Sequence, residues 1–344
     1  MNFGIIPESL GERLALRLGR VPVPIVDLVF GALKGRAIMA GVNLGVFEAL
    51  RDGPRTPADL AETLQLDRAA LESLLRALAH VKYLKFRKDR YHLTSLARRT
   101  MVSGAPLELT YYVRWHATQW QFLERLESLV RTGRGIEFHR QLESRNEWRH
   151  YQRAMFEASR PDAATLARLA PIPAGATRLL DVGGGHGFLG AAICREHPPM
   201  RSTVIDLPQA IEHGCALATE LGYSELVDFR AGDVLNDPLE AADAALLANF
   251  LHHLSVDEAT SLLKRVRSVL RPGGTIAIWE LEAPLSDRPN GHGDIAALFF
   301  RLTSTSEPLH GTQYASWLSA AGYSAVRVVR PRLMPGRILV LARA

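Results

Sequence analysis

Cysteine is scarce in this chain of 344 residues, which contains only Cys194 and Cys215. Two cysteines form at most one bridge, so they cannot supply the disulfide framework that stabilises small secreted domains. Both lie in segments that we predict to be helical. This cysteine usage is typical of proteins from a reducing compartment, and we expect the chain to be cytoplasmic.

Long apolar runs and clusters of like charge are also missing. The longest apolar stretch, residues 21–33, is interrupted by two prolines and Asp27 and is too short to span a bilayer. The first ten residues lack the basic segment and apolar core of a signal peptide. The charged residues, 41 Lys and Arg against 36 Asp and Glu, are dispersed, which is more typical of a solvated surface than of a nucleic-acid-binding face. We therefore expect neither a membrane nor nucleic acid as a partner.

What the chain does contain is an ordinary globular composition, with 47% hydrophobic and 22% charged residues, at a length that allows two domains. The patterns described below divide it into three segments. We predict an N-terminal domain over residues 1–105, a helical linker rich in aromatic residues over 106–170, and a second domain over 171–344. A segment that links two domains is a common place for the wall of a small-molecule pocket.

The N-terminal segment reads as helices followed by a small hairpin. Residues 36–50 have apolar side chains at helical spacing, and Thr56 and Pro57 mark a helix start. A further helix is predicted over residues 68–83, and two short strands flank a turn within residues 85–94. Three helices and a hairpin predict a winged helix.

A winged helix raises the possibility of DNA binding. The helix predicted over residues 68–83 would be the one that enters the groove. Over residues 74–82, however, its polar side chains are only Arg76, His80 and Lys82. An apolar helix of this kind favours packing or a dimer interface. A DNA-binding regulator remains the less favoured alternative.

From residue 178 onwards, predicted strands alternate with predicted helices up to residue 279. This alternation is typical of a parallel sheet with helices on both faces. Residues 325–329 and 338–341 are then predicted to form an antiparallel hairpin. Such a hairpin argues against a dinucleotide-dependent dehydrogenase.

A glycine-rich turn follows the first of these strands. Gly183, Gly185 and Gly187 stand between an apolar strand and an apolar helix, where glycine allows a positive φ and a close approach of the backbone to a ligand. The run from Gly185 to Gly190 also fits the dinucleotide pattern GxGxxG. On the turn alone, a nicotinamide or flavin cofactor and a purely structural turn therefore remain alternatives to S-adenosylmethionine (SAM).

Carboxylates are placed at the ends of several predicted strands, where doubly wound sheets bind their ligands. Asp181 precedes the glycine turn, Asp206 can accept hydrogen bonds from both hydroxyls of a ribose, and Asp233 can accept from an adenine amino group. A single acid at such a place often only caps a helix. Three acids combined with the glycine turn favour SAM.

The fourth predicted strand leads into His252 and His253. An imidazole beside the cofactor crevice can take a proton near neutral pH, and Glu280, at the end of the next strand, can orient it. Only one of the two histidines is expected to face the site. A metal centre built from His252, His292, Asp294 and His310 is not expected, because their spacing fits no ligand motif.

Five motifs together resemble a known family. They are residues 180–187 (LDVGGGHG), 204–208 (VIDLP), 232–234 (GDV), 251–255 (LHHLS) and 270–274 (LRPGG). Nearly the whole chain is similar to the dimeric winged-helix O-methyltransferases, typified by plant phenolic and hydroxyindole enzymes and by bacterial natural-product tailoring enzymes. The resemblance implies an α/β fold: a winged-helix dimerisation domain before a Rossmann-like class I methyltransferase domain, whose mostly parallel seven-stranded sheet ends in an antiparallel hairpin.

The resemblance also implies an activity: a homodimer transfers the methyl group of SAM to a hydroxyl of a small aromatic or polyketide-like acceptor and releases S-adenosylhomocysteine. His252 would be the general base and Glu280 its bracing acid. The residues expected at the cofactor are Asp181, Gly183, Gly185, Asp206, Leu207, Asp233, Val234 and Asn249. The candidates for the acceptor wall, each also explicable as core packing, are Trp115, Trp120, Met155, Phe156, Phe299 and Phe300.

Three departures from the family pattern lie near the base. His252 is followed by His253 and Leu254, where relatives often have Asp or Asn and then Trp; Ala248 replaces a common lysine; and Pro308 occupies the place of a second glutamate, with Glu307 one residue away. These changes keep open C-methylation or a non-methylating hydroxylase or pericyclic activity in a SAM-binding relative.

Overall fold

The computed structural model describes residues 5–142, 144–283, 292–304 and 306–344. The chain divides into two compact units, Asn2–Gln119 and Trp120–Ala344. The segment 106–170, predicted as a linker, is thus shared between the two units. The domain boundaries at residues 105 and 170 stay predictions. No helix among the described residues is long and apolar enough to cross a membrane.

The first unit consists of helices and a two-stranded hairpin. The helices are α1 (Leu10–Arg17), α2 (Val23–Val26), α3 (Ala32–Asn43), α4 (Val46–Ala49), α5 (Pro57–Leu64), α6 (Arg68–His80), α7 (Ser95–Thr100) and α8 (Thr110–Gln119), with a π-helical segment at Asp27–Gly31. The predicted start of α5 is confirmed, because Thr56 caps the helix through the backbone N–H of Asp59 and Pro57 takes the first position. The hairpin is also confirmed, with β1 (Leu84–Arg87) paired to β2 (Arg90–Leu93).

The core of the first unit explains the apolar character of α6. Leu71, Leu75 and Leu78 are buried and pack with Phe47 and other apolar side chains of the same cluster. Asp67 caps the helix by accepting a hydrogen bond from the backbone N–H of Ala70. The apolar face of α6 is therefore occupied by packing within the unit.

The second unit is built on a seven-stranded sheet in the order β5-β4-β3-β6-β7-β9-β8. Its strands are β3 (Arg178–Val182), β4 (Arg201–Asp206), β5 (Val227–Ala231), β6 (Ala242–Ala248), β7 (Leu270–Leu281), β8 (Ser324–Val329) and β9 (Arg337–Arg343). The strands from β5 to β7 pair in parallel, whereas β9 pairs antiparallel with both β7 and β8. This arrangement confirms the predicted fold class.

Helices cover both faces of this sheet. The helices of the second unit are α9 (Leu126–Thr132), α10 (Arg145–Leu169), α11 (Phe188–Glu196), α12 (Pro208–Glu220), α13 (Val256–Val269), α14 (His292–Thr303) and α15 (Gly311–Ala320), together with short 3-10 segments at Trp120–Arg125, Phe138–Gln141, Ser224–Leu226 and Leu251–His253. Apolar clusters lie on the two sides of the sheet. The central strands β3 and β6 are buried almost throughout, which is why they read as continuous apolar runs.

The strand order creates a crevice between β3 and β6. From β3 the chain continues to β4 on one side of the sheet, whereas β6 is followed by β7 on the other side. Ligands of open α/β sheets bind at such a reversal, outside the carboxyl ends of the strands. The glycine-rich turn follows β3 and the His252 turn follows β6, so the fold brings both to this crevice.

Candidate active site

The glycine-rich turn needs glycine for steric and for conformational reasons. Gly183, Gly185 and Gly187 have φ values of 64°, 53° and 70°, in the left-handed region that other residues disfavour. A Cβ on Gly183 would lie 2.2 Å from a ring carbon of Phe250, and one on Gly185 would lie 2.9 Å from the side-chain oxygen of Gln152. A side chain at Gly183 or Gly185 would therefore clash with Phe250 or Gln152, and glycine keeps this narrow backbone cradle free of one.

Asp206 is fixed beside this cradle at the end of β4. Its Oδ2 accepts a hydrogen bond from the backbone N–H of Gly185 at 2.8 Å, and its Oδ1 accepts one from that of Leu207 at 2.7 Å. Burial raises the pKa of Asp206 to about 6, although these two hydrogen bonds lower it in part. Each oxygen keeps a further lone pair for a ligand. Asp206 and the cradle thus fit the ribose and the main-chain contacts of a nucleoside-bearing cofactor such as SAM.

Asp181 lies inside the protein rather than in the crevice. It is 1% exposed, and its carboxylate packs where Cβ atoms on Gly184 and Gly190 would stand, at 2.5 and 2.6 Å. Burial and the charge of Asp206 raise its pKa to about 7, against a small lowering by the nearby N–H of Gly190. Neither oxygen makes a hydrogen bond of normal geometry to a described residue. Asp181 therefore supports the turn from within.

The remaining residues expected at the cofactor differ in their surroundings. The carboxylate of Asp233 accepts hydrogen bonds from the backbone N–H of Leu235 at 2.9 Å and from the Asn236 side chain at 2.6 Å. It thus closes a local turn rather than capping a helix. The Val234 side chain is buried in the core, whereas Leu207 is 43% exposed at the start of α12.

His252 and Glu280 form a buried pair at the carboxyl end of β6. Nδ1 of His252 lies 2.9 Å from Oε2 of Glu280, and Oε1 of Glu280 accepts the backbone N–H groups of Phe250 and Leu251 at 2.8 and 2.9 Å. Glu280 is 0% exposed and His252 is 3% exposed. Because Nδ1 is engaged by the carboxylate, Nε2 is the ring nitrogen left for another partner, and no described residue bonds to it. This is the geometry of an oriented general base.

Asn249 begins the same turn in a strained conformation. Its φ is 51°, its backbone N–H donates to the carbonyl oxygen of Trp279, and its Oδ1 accepts a hydrogen bond from Arg337 at 2.6 Å. Arg337 also pairs with the buried Asp162 at 2.7 Å, which accepts the indole N–H of Trp279 at 2.8 Å. The side-chain oxygen of Asn249 is therefore part of a structural network.

The candidates for the acceptor wall are scattered. Phe300 of α14 lies against the base, with its ring 4.4 Å from that of His252, and Phe299 contacts Phe300. Phe156 packs in a separate core cluster against the rings of His186 and Phe188. The other three are half-buried Met155 in α10, half-buried Trp120 at the start of the second unit, and Trp115, which is buried in the first unit.

The structure also brings together residues that sequence reasoning did not place at the site. The rings of His139 and His253 lie 4.6 Å apart, that of His253 lies 4.1 Å from that of His252, and Tyr151 contacts His139. In the sequence, the one indication that His253 lies at the site is its position next to His252. His139 lies more than a hundred residues before the base, in a segment without a motif, so nothing in the sequence indicated its proximity.

The displaced glutamate and the metal alternative have no geometric support among the described residues. Glu280 is the one carboxylate hydrogen-bonded to His252 there, and no contact joins that histidine to Glu307. No cluster of three or more His, Cys, Asp or Glu side chains in the described ranges is arranged to hold a metal. The side chain of His292 lies outside the described part of the chain.

Comparison with known proteins agrees with this geometry. Residues 118–324, more than half of the chain, match the O-methyltransferase domain, and residues 26–103 match the O-methyltransferase dimerisation domain. The chain is 31% identical over 325 residues to a 3-hydroxy-5-methyl-1-naphthoate 3-O-methyltransferase of Streptomyces sahachiroi, covering 90% of this chain and 91% of that protein. It is 26% identical over 329 residues to a mitomycin biosynthesis 6-O-methyltransferase of Streptomyces lavendulae, with 92% and 93% coverage.

Solved structures share the fold over nearly the full length. The mitomycin 7-O-methyltransferase MmcR superposes with a TM-score of 0.81 at 26% identity, covering 98% of this chain and 100% of that one. Human N-acetylserotonin methyltransferase, solved in complex with SAM, superposes with a TM-score of 0.84 at 22% identity, covering 98% of both chains. The matched domains, the sheet order and the paired His252 and Glu280 agree with one another, and the chain belongs to the SAM-dependent O-methyltransferase family.

Proposed function

We propose that this enzyme methylates a hydroxyl of a small aromatic or polyketide-like acceptor, with His252 as the general base and Glu280 as the residue that orients it. The observation that carries the proposal is the buried pair of His252 and Glu280 at the end of β6, beside the crevice that the glycine-rich turn and Asp206 border. The names of relatives support the acceptor class, because they include a naphthoate O-methyltransferase, a mitomycin O-methyltransferase and a tetracenomycin polyketide 8-O-methyltransferase.

The residues of this chain would divide the work as follows. Bound SAM supplies an electrophilic methyl group on a sulfonium. Asp206 and the backbone of the glycine-rich turn hold the nucleoside, so that the methyl group and the acceptor oxygen are brought close together. Nε2 of His252 takes the hydroxyl proton as the new O–C bond forms and the C–S bond breaks, which releases S-adenosylhomocysteine.

Glu280 would give His252 its direction and balance its charge. The Nδ1–H of the imidazole donates to Oε2 of Glu280, so that the lone pair of Nε2 faces away from the carboxylate. When Nε2 takes a proton, the buried carboxylate compensates the new positive charge. The two backbone N–H groups on Oε1 keep the carboxylate in place during the reaction.

The experiment compares His252→Ala and His252→Gln with the parent enzyme on an aromatic hydroxyl acceptor. General-base catalysis is worth about 10²- to 10⁴-fold, so turnover should fall by about a hundredfold or more. SAM affinity, measured by calorimetry, should be preserved because Asp206 and the turn are untouched. His80→Ala, which removes an exposed histidine of α6, is the matched control.

Two results would contradict the proposal. Undiminished turnover in both variants would exclude His252 as the base. Conversion of the acceptor without release of S-adenosylhomocysteine would instead identify a non-methylating relative, the alternative that the altered residues after His252 keep open.

We further propose that the chain acts as a cytoplasmic homodimer. The dimerisation family covers residues 26–103. Large exposed apolar side chains are concentrated shortly before and at the beginning of this range, namely Ile6, Leu10, Leu14, Leu18, Val23, Ile25, Leu28, Val29, Phe30 and Leu33. Such a continuous set of exposed apolar side chains is typical of a surface that another protein covers.

A further inference from the structure

Two further histidines lie near the base in the second unit, and the mechanism above uses neither of them. The ring of His253 lies 4.1 Å from that of His252, and the ring of His139 lies 4.6 Å from that of His253 at an angle of 84°. His139 comes from the 3-10 segment Phe138–Gln141, whereas His253 comes from the turn after β6. Two distant parts of the chain therefore converge beside the base.

Each of these two imidazoles is held by one ring nitrogen. Nδ1 of His253 hydrogen-bonds to the hydroxyl of Ser304 at 2.9 Å, and Nε2 of His139 hydrogen-bonds to the hydroxyl of Tyr151 at 2.8 Å. The opposite nitrogens, Nε2 of His253 and Nδ1 of His139, bond to no described residue. Both rings are thus fixed in orientation, and each keeps one polar atom for a ligand.

The two rings remain accessible to a ligand. Both side chains, like that of Tyr151, are half-buried, so they keep contact with solvent although desolvation shifts their pKa values. A half-buried polar group beside the base can be reached by a small molecule. Phe138 and Trp148 also pack against His139, with ring centroids 3.9 and 6.3 Å from that of His139.

Both imidazoles are neutral at physiological pH. Burial lowers the pKa of His139 to about 3, with a further lowering by the charge of His252, and burial together with His252 and His139 lowers that of His253 well below its usual value. Tyr151 also faces the cluster, and burial together with the charge of Asp206 raises its pKa, so its hydroxyl is neutral as well. A neutral imidazole offers one N–H and one lone pair to a hydroxyl or carbonyl. It carries no positive charge with which to bind a carboxylate.

We propose that His253 and His139 form a second hydrogen-bonding wall of the acceptor cavity, which selects aromatic acceptors that carry an uncharged oxygen substituent next to the hydroxyl to be methylated. The proposal rests on the proposed function, because it takes His252 as the base that receives the hydroxyl proton. The rings of His252 and His253 are 4.1 Å apart, so two oxygens that the imidazoles bind on the same side can lie within a few ångströms of each other. Oxygens on adjacent carbons of an aromatic ring meet this condition, and oxygens on opposite sides of a ring do not.

The test uses three naphthalene acceptors that differ at one position: 2,3-dihydroxynaphthalene, 2-naphthol and 3-hydroxy-2-naphthoate. A well-made hydrogen bond in a buried site is worth roughly tenfold, so kcat/KM for the dihydroxy acceptor should exceed that for 2-naphthol by about tenfold, beyond the statistical factor of two. The naphthoate should be the poorest of the three, because it would place a carboxylate against neutral imidazoles.

The variants His253→Leu and His139→Phe should reduce this preference. Both should lower kcat/KM more for the dihydroxy acceptor than for 2-naphthol, so that the ratio of the two kcat/KM values falls close to the statistical factor of two. His253→Asn keeps a donor and an acceptor in place of the imidazole and should retain part of the preference. Thermal unfolding of each variant shows whether it is folded.

A binding measurement makes the test independent of turnover. In the presence of S-adenosylhomocysteine, which cannot react, calorimetry should show the dihydroxy acceptor binding more weakly to His253→Leu by about tenfold, with a smaller change for 2-naphthol. Equal losses for both acceptors, or a parent enzyme that prefers the naphthoate, would overturn the inference. Failure of the parent enzyme to release S-adenosylhomocysteine with any of the three would contradict the proposed function instead.

Discussion

Glu280 accepts three hydrogen bonds, and all of them come from the turn that follows β6. Two backbone N–H groups occupy Oε1, and the imidazole of His252 occupies Oε2. A carboxylate that is 0% exposed loses the stabilisation of water, and these three donors replace it. The same residue therefore shapes the turn and selects the tautomer of the base, with the proton on Nδ1 and the lone pair on Nε2.

The change Glu280→Gln separates these two roles. The amide oxygen can still accept the two backbone N–H groups, but the amide NH₂ then faces Nδ1 of His252 and favours the tautomer that has its proton on Nε2. In that tautomer Nε2 cannot act as a base. Turnover should fall by roughly a hundredfold or more, while SAM affinity changes little.

The matched control is Glu307→Gln, since no contact in the described structure joins Glu307 to His252. A normal rate in Glu280→Gln together with a large loss in Glu307→Gln would reverse the assignment of the bracing acid. The pH–rate profile adds a readout that a loss of stability alone would not change.

Asp181 makes the stability of the ligand-free protein depend on pH. Its pKa is raised to about 7 from the ordinary value of 3.8, so between these values the folded protein holds a proton that the unfolded chain has released. The contribution of Asp181 to the free energy of unfolding therefore falls as the pH rises from about 4 to about 7. The deprotonated carboxylate destabilises the fold by at most about 4 kcal/mol at pH 8.

We expect Asp181→Asn to remove this dependence. Relative to the parent protein, the variant should gain stability as the pH rises from about 4 to about 8, as measured by urea unfolding at a series of pH values without SAM. Asp206, whose pKa is raised to about 6, is present in both proteins, so the difference between them reports Asp181 together with its coupling to Asp206. Parallel pH curves for variant and parent would contradict the assignment.

Asp243→Asn is the control with the opposite sign. Burial raises the pKa of Asp243, but hydrogen bonds from the backbone of Thr177 and Arg178 and from Arg271 outweigh this and keep the pKa below its usual value. Its contribution to stability is present above the unfolded pKa and is lost as the pH falls through the lower folded pKa. The variant should therefore lose stability at neutral pH and differ little from the parent in strong acid.

At the scale of elements, an ion pair joins β9 to α10, and a hydrogen bond from the same arginine reaches the turn that carries the base. Arg337 of β9 pairs with Asp162 of α10 at 2.7 Å and donates to Oδ1 of Asn249 at 2.6 Å. The side chain of Asp162 is 5% exposed and that of Arg337 is 16% exposed. Because a buried charge without its partner is costly, removal of one member should destabilise the protein far more than replacement of both.

The prediction is a double-mutant cycle with Arg337→Met and Asp162→Asn. Arg337→Met leaves the Asp162 carboxylate with the indole N–H of Trp279 and should cost about 3 kcal/mol of unfolding free energy. The double variant should recover part of this loss, and urea unfolding of the four proteins measures the coupling. Additive losses would show that the pair does not act as a unit.

The elements themselves were largely predictable from local sequence. The glycine-rich turn, the cap at Thr56 and the alternation of strands and helices depend on neighbouring residues, and the structure has all of them. Boundaries were less accurate: the helix predicted to end at residue 83 ends at His80, and the strand predicted over 275–279 extends over Leu270–Leu281. The position of β9 between β7 and β8 was not predicted, because no local pattern encodes it.

The site was predictable only where a motif follows a strand. His252 and Glu280 each stand at a strand end, and the rule that carboxyl ends share one edge of the sheet predicted their meeting. The pairs Arg337 with Asp162 and His139 with His253 are separated by more than a hundred residues and belong to no such motif. Their proximity results from packing of whole elements, which a single sequence does not specify.

At the scale of the whole molecule, the apolar side chains near the N-terminus are exposed to solvent in a single chain. Ile25, Leu28 and Leu33 are 61%, 73% and 58% exposed; the helical segments before α3 have no buried residue, and Leu33 lies in the first turn of α3. Water contact with apolar surface costs about 25 cal/mol per Å². A second copy of the same chain would bury this surface, which is why we expect a homodimer of the 38.0 kDa chain.

The substitutions Leu28→Asp and Leu33→Asp place carboxylates in this surface, where burial in a dimer would leave them without partners. Light scattering after gel filtration should give the mass of a dimer for the parent protein and that of a monomer for the double variant. The control is Leu333→Asp, since Leu333 is 93% exposed but belongs to the second unit, in the connection between β8 and β9. The thermal midpoint of the parent should rise with protein concentration, as mass action requires for a dimer, and that of the double variant should not. A monomeric parent protein would exclude the dimer, and a dimeric double variant would assign the interface to another surface.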